Sequence, residues 1–212
     1  MTIAAGLPKL YAVVDAELAR RCRLDVVDLW AACLEGGARL LQLRAKGASG
    51  RDLCAWGDAV VALSRESGAS VIVNDRADVA LAVNAAGVHV GQDDLPPSAV
   101  RALCGPDALI GFSTHTRDQV CEALPEPVSY IAVGPIFGTA TKDTGYEAVG
   151  LELVRIAAEA ASPRPVVAIG GITLENAPSV LAAGASAVAV ISDLLVTGDP
   201  RGRVRAYLDT LG

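Results

Sequence analysis

Short apolar runs alternate with longer segments of mixed polarity from one end of the chain to the other. The runs predict strands over residues 10–15, 40–45, 71–75, 88–92, 109–114, 130–137, 166–170 and 187–192. The segments between them predict helices over 25–35, 51–67, 97–103, 151–161 and 174–183, with one more over 201–211. Several helices stop in glycine just before the next strand, as at Glu35-Gly36-Gly37, Ser67-Gly68 and Ala183-Gly184. Strands alternating with helices imply parallel pairing through right-handed crossovers. Eight such units filling the chain evenly favour an α/β fold of one closed (β/α)8 TIM barrel over an open doubly wound sheet. No G-x-G-x-x-G follows the first strand, as a dinucleotide-binding open sheet would have.

Composition narrows this further. The 212 residues are 52% hydrophobic and 20% charged, which is ample for one sizeable core and too short for two ordinary domains. Residues 1–212 are therefore expected to form one catalytic barrel domain. Only 4% of residues are aromatic, so the core is built from Ala, Val, Leu and Ile, which suit parallel strands buried on both faces. The net charge of −6 runs against a nucleic-acid partner, although a local basic pocket remains compatible with it. Cys22, Cys33, Cys54, Cys104 and Cys121 are odd in number, scattered and never in a C-x-x-C pair, which argues against disulfides or zinc and fits a reducing cytosol. Residues 1–9 make a poor secretory signal, and no apolar run reaches membrane-spanning length. The expectation is a cytoplasmic protein with no membrane partner; subunit number is left open.

In such barrels the chemistry sits at the carboxyl ends of the strands. The second strand ends Gln42-Leu43-Arg44-Ala45-Lys46. With a period of two, Gln42, Arg44 and Lys46 share a face aimed at the mouth, and Leu41 and Leu43 face the helices. Cations leaving the barrel into solvent would be the ordinary alternative, but an in-register polar triple points to an anion site. The third strand ends in Asn74-Asp75 and the fourth runs into Gly91-Gln92-Asp93-Asp94. Neighbouring strands lie about 4.8 Å apart, so carboxylates at their two ends can converge on one ion. Oxygen ligands of this kind suit magnesium, although each aspartate alone could equally cap a helix.

The fifth strand ends in Gly111-Phe112-Ser113-Thr114-His115, where Ser113 either bonds a ligand oxygen or caps the next helix. His89 and His115 lack partners at metal-ligand spacing, and hydrogen-bonded structural roles are expected for both. The sixth strand leads into Thr139-Ala140-Thr141-Lys142, a plausible phosphate cradle, with a polar stretch over 143–150 as a lid. The seventh ends in Gly170-Gly171 and the eighth in Ile191-Ser192, the positions at which many barrels bind phosphate through exposed backbone amides.

Taken in order, Gln42 to Lys46, Val73-Asn74-Asp75, Gly87 to Asp94, Gly111 to His115, Gly134 to Lys142, Ala168 to Ile172 and Val190 to Ser192 resemble the thiamine-phosphate synthase family over nearly the whole chain. The resemblance implies condensation of a hydroxymethylpyrimidine diphosphate with a thiazole phosphate, or its carboxylated form, giving thiamine phosphate and diphosphate. It implies that Gln42, Leu43, Arg44, Ala45, Lys46, Asn74, Ser113 and Lys142 hold the pyrimidine diphosphate. Thr139, Ala140, Thr141, Gly171, Ile191 and Ser192 would hold the thiazole phosphate, and Asp75 and Asp94 one magnesium ion per subunit. Arg44, Lys46, Ser113 and Lys142 are the candidate catalytic side chains. Gly138 departs from the family, whose members often carry proline there. Two rivals stand beside this reading. A thiazole-phosphate tautomerase would have no use for Asp75 and Asp94, and a silent metabolite-binding barrel would have lost the metal or diphosphate residues.

Overall fold

The computed structural model describes residues 6–138 and 147–212. Eight parallel strands close into a barrel in sequence order. They are β1 (Leu10–Asp15), β2 (Leu40–Arg44), β3 (Ser70–Asn74), β4 (Gly87–Val90), β5 (Leu109–Thr114), β6 (Tyr130–Val133), β7 (Val166–Ile169) and β8 (Ala187–Val190). The ring closes where β1 pairs with β8, Tyr11 beside Ala189. Around it lie α1 (Ala16–Arg21), α2 (Val26–Gly36), α3 (Gly50–Ser67), α4 (Ala77–Ala82), α5 (Pro97–Cys104), α6 (Arg117–Ala123), α7 (Gly150–Ala161), α8 (Ala177–Ala182) and α9 (Pro200–Leu211). The TIM barrel expected from the alternation is the fold observed.

The alternating strand pattern separates two apolar layers. Outward residues such as Leu41, Leu43, Val71, Val73, Val88 and Val188 pack with helix residues Trp30, Val60 and Val180 in one cluster. Inward residues, among them Tyr11, Val13, Leu40, Ile72, Leu109, Tyr130 and Val167, fill the barrel in a second. The two interior tyrosines need room, and Gly111 supplies it. A Cβ at Gly111 would sit 2.1 Å from the Tyr130 ring, so any larger residue would push the ring out of the barrel. The outer layer is tied by Trp30, whose indole Nε1 donates to Ser64 Oγ at 2.9 Å between α2 and α3. The first and last units are also joined, with α9 packed on α2 and β1, and Lys9 Nζ donating to Leu211 O at 2.6 Å.

Most strands stop earlier than their apolar runs suggested. β2 ends at Arg44, β4 at Val90, β6 at Val133 and β8 at Val190. For β6 the reason is local, since Pro135 brings no N–H to a ladder. The consequence is that Lys46, Asp75, Asp94, Gly171 and Ser192 stand in loops above the barrel, while Gln42, Arg44, Asn74 and Ser113 stay on their strands. Three helices, α1, α4 and α6, were not anticipated, because six or seven residues are too few to display a helical period. Their starts carry chemistry all the same. The Asp15 carboxylate caps α1 by accepting from Leu18 N at 2.8 Å, and Thr116 caps α6 by accepting from Gln119 N at 3.2 Å.

Candidate active site

A cavity opens at the carboxyl ends of the strands, and every strand or its following loop contributes to its wall. Seven of the predicted residues line it: Gln42, Arg44, Asn74, Ser113, Gly171, Ile191 and Ser192. The run from Gln42 to Lys46 does not act as one surface. Leu43 is fully buried in the outer layer and Ala45 packs against it, so neither side chain lines the cavity and only their backbone is left for a ligand. Thr139, Ala140, Thr141 and Lys142 lie outside the described residues, as does the first half of the 143–150 stretch.

On the β2 side, Arg44 is drawn inward instead of leaving into solvent. Its guanidinium pairs with the Asp15 carboxylate at the end of β1, and both side chains are largely buried. The Arg44 Nε–H is buried and has no acceptor among the described residues. A buried donor without a partner costs free energy, and an anion at the mouth would satisfy it. Asp15, at the end of the first strand, was not among the polar strand-end residues expected to matter. It both caps α1 and aims Arg44.

Above Arg44, Lys46 Nζ lies 3.3 Å from Asp75 Oδ2, with half of the lysine side chain exposed. Asp75 does not cap a helix. It sits in a three-residue turn in which Arg76 N donates back to Asn74 O at 2.8 Å, and its own φ is +62°, a conformation that non-glycine residues seldom adopt. This strained backbone aims the carboxylate at Asp94, whose Oδ2 is held by Gly91 N at 2.8 Å. Burial first, and then the Asp94 carboxylate within hydrogen-bonding reach, hold the Asp75 carboxyl above the usual carboxylate range. Two oxygen ligands pressed together against their own repulsion suit a divalent cation that completes its shell with water and phosphate oxygens. Among the described residues there is no cluster of three or more His, Cys, Asp or Glu that could form a protein-only cage.

Across the mouth, the turns after β7 and β8 face the same cavity. Gly171 has a φ of +64°, and a Cβ there would meet Gly138 O and Phe137 Cβ at 2.7 Å. Glycine is therefore required by both conformation and space. The turn is braced from behind: Asn176 Oδ1 accepts from Thr173 N at 2.9 Å, and its Nδ2 donates to Gly171 O at 3.0 Å. Asp193, buried, accepts from Leu174 N at 3.2 Å, from Arg203 Nε at 3.0 Å and from the Tyr207 hydroxyl. Ser192 opens a short 3-10 turn, Ser192–Leu195, between β8 and α9. An extra helical turn at this point is where barrels of this type commonly seat a phosphate. Neither brace stood out in the sequence, because a single Asn or Asp in a loop has no period or motif.

The histidines are hydrogen-bonded as expected, but both also line the cavity. His89 contacts Tyr130 and Ser113, and His115 Nδ1 meets Gly134 O. Ser113 does not cap α6; Thr116 does, and the Ser113 hydroxyl meets His89 Nε2 at the cavity wall instead.

A barrel with a buried arginine donor, a carboxylate pair and braced glycine turns at one mouth is a phosphate-handling (β/α)8 enzyme. The thiamine monophosphate synthase family model matches residues 10–194, and the chain belongs to that family. It is 47% identical to the thiamine-phosphate synthase of Chlorobium phaeovibrioides, over 92% of this chain and 90% of that one. Identity to the thiamine-phosphate synthase of Koribacter versatilis is 44%, over 97% and 96% of the two chains. The solved structure of the thiamine phosphate pyrophosphorylase of Pyrococcus furiosus superposes with a TM-score of 0.85 at 35% identity, covering 96% of this chain and 97% of that one.

Proposed function

We propose that this transferase condenses 4-amino-2-methyl-5-(diphosphooxymethyl)pyrimidine with 4-methyl-5-(2-phosphoethyl)thiazole, or its carboxylated form, to give thiamine phosphate and diphosphate in thiamine biosynthesis. The observation that supports this is the placing of two sets of groups suited to anions on opposite sides of one mouth. Arg44, Lys46 and the Asp75/Asp94 pair stand on the β2–β4 side, and the turns of Gly171 and Ser192 stand opposite. One phosphorylated substrate on each side is what a coupling reaction needs.

In this reading Gln42, Asn74 and Ser113 orient the pyrimidine, and Arg44, Lys46 and Lys142 hold its diphosphate. Backbone groups of Leu43 and Ala45 complete that side. Gly171, Ile191 and Ser192, with Thr139, Ala140 and Thr141, hold the thiazole phosphate. Asp75 and Asp94 would hold one magnesium ion, which when bound supplies positive charge to the departing diphosphate oxygens. The bond between the pyrimidine methylene and oxygen breaks with its electron pair leaving on diphosphate. Arg44, Lys46 and Lys142 receive that charge in a site arranged before reaction. The thiazole nitrogen then gives its lone pair to the methylene carbon. No enzyme nucleophile is required, so the chain's task is to align two substrates and exclude water.

A tautomerase would need a proton carrier at the mouth. His89 is instead engaged through both ring nitrogens and His115 through Nδ1, and Asp75 and Asp94 would have no role. No helix among the described residues is long and apolar enough to cross a membrane, and all five cysteines are free, which supports a cytoplasmic location. The test mixes purified protein, both substrates and magnesium. Thiamine phosphate should accumulate and should stop when the metal is chelated. Tight thiazole-phosphate binding with no product would overturn the assignment.

A further inference from the structure

Five side chains from five strands, four of them buried and His89 half-buried, form one hydrogen-bonded chain across the floor of the cavity. Gln42 Nε2 donates to the Tyr11 hydroxyl at 2.8 Å. The Tyr11 and Tyr130 hydroxyls meet at 3.0 Å, and Tyr130 lies 3.0 Å from His89 Nδ1. His89 Nε2 is 2.8 Å from Ser113 Oγ. Ring contacts hold the geometry: Tyr11 is edge-on to Tyr130 with centroids 5.9 Å apart, and His89 stacks on Tyr130 at 5.6 Å.

Counting protons gives the chain a direction. Each tyrosine and the serine has one hydroxyl proton, and a neutral imidazole has one N–H. Because Gln42 donates to Tyr11, the Tyr11 proton goes to Tyr130 and the Tyr130 proton to His89 Nδ1. The imidazole proton is then on Nε2 and goes to Ser113. The Ser113 proton is left for the cavity, and at the far end Gln42 Oε1 is left as an acceptor. Turning the Gln42 amide over reverses every bond in the chain. A mixed chain strands a buried hydroxyl proton, which is costly in a site of low polarity. Burial pushes the Tyr11 and Tyr130 phenols well above their ordinary value, so both stay neutral links.

We propose that Tyr11, Tyr130 and His89 are positioning residues that lock the hydrogen-bonding polarity of Gln42 to that of Ser113, and so decide which heterocycle the mouth accepts. As set, the mouth offers an acceptor at Gln42 and a donor at Ser113, which suits an exocyclic amine beside a ring nitrogen. The inference rests on the functional reading above, in which Gln42 and Ser113 hold the aminopyrimidine. An oxo group with a protonated ring nitrogen has the opposite polarity and would require the whole chain to reverse.

The test compares binding of the unreactive pyrimidine monophosphate in its 4-amino and 4-oxo forms, by calorimetry, in wild type and in Tyr130→Phe and Tyr11→Phe. Wild type should prefer the amino form by at least about tenfold, the scale of one mismatched hydrogen bond. Cutting the chain lets each end turn alone, so the preference should fall to within about threefold in either variant, with thiazole-phosphate binding unchanged. A merely structural role would weaken both forms alike and leave their ratio intact. Should one variant fail to fold in a thermal melt, the other is read. An unmoved ratio in a folded variant, or a wild type that binds both forms equally, overturns the relay. Thiamine phosphate formation by wild type, followed in parallel, separates that outcome from failure of the functional reading, since absence of product overturns both.

Discussion

In the proposed site, Asp75 is a single position kept for chemistry at the expense of local stability. Its backbone is held at a φ of +62°, and its carboxyl is pushed up by burial and by Asp94, with Lys46 only partly offsetting the repulsion. Substituting Asp75→Asn removes one of the two facing charges without changing shape. The metal-free protein should then be as stable as wild type or more so by about 1 kcal/mol, read from denaturant unfolding. Thiamine phosphate formation should fall on the order of 10²–10³-fold, since the charge that anchors the leaving group is lost. Lower stability together with intact turnover would sink the metal-site assignment. The polar residues in this region were legible because strand periodicity puts Gln42, Arg44 and Lys46 on one face. Asp15 follows the same rule, but it ends a strand of otherwise apolar residues and its partner is 29 positions away.

At the scale of elements, the turns are more specialised than the strands they follow. The turn at Gly171 is pinned by Asn176 and Asp193 and has no space for a side chain. Gly171→Ala should cost about 1 kcal/mol for the left-handed backbone, and more for displacing the 137–138 segment. In steady-state kinetics, KM for the thiazole phosphate should rise about tenfold or more while KM for the pyrimidine diphosphate stays within about twofold. Equal changes in both constants would mean that the two anion sites are not separate. The strands and long helices were readable from their periods. The short helices α1, α4 and α6, and the Gln42–Tyr11–Tyr130–His89–Ser113 chain, were not. Tyr11 and Tyr130 stand 119 positions apart, and only closure of the barrel brings their hydroxyls together.

Closure also makes the molecule stand or fall as one unit, and alkali tests this. Burial holds the Tyr11 and Tyr130 phenols on the barrel axis above their ordinary value. Burial and then the Asp193 carboxylate do the same to Tyr207 on α9, and burial alone pushes the Cys33 thiol of α2 up to about 12. All four groups lose a proton more readily in the unfolded chain. Their contribution to stability is therefore complete below about pH 8, where the unfolded thiol starts to ionise, and is lost as pH rises. Above about pH 10 each group removes roughly 1.4 kcal/mol per pH unit, so four together exhaust an ordinary stability of about 10 kcal/mol within about two units. Three layers are struck at once: the barrel interior, the α2 face and the α9 face. The contacts of β1 with β8 and of α2 with α9 tie the first unit of the ring to the last. Phenolate absorbance from Tyr11, Tyr130 and Tyr207 should accordingly rise in one step with loss of the far-ultraviolet circular dichroism signal, between about pH 11 and 12. Ionisation of all three near pH 10 with helices intact would show that the barrel interior is open to water.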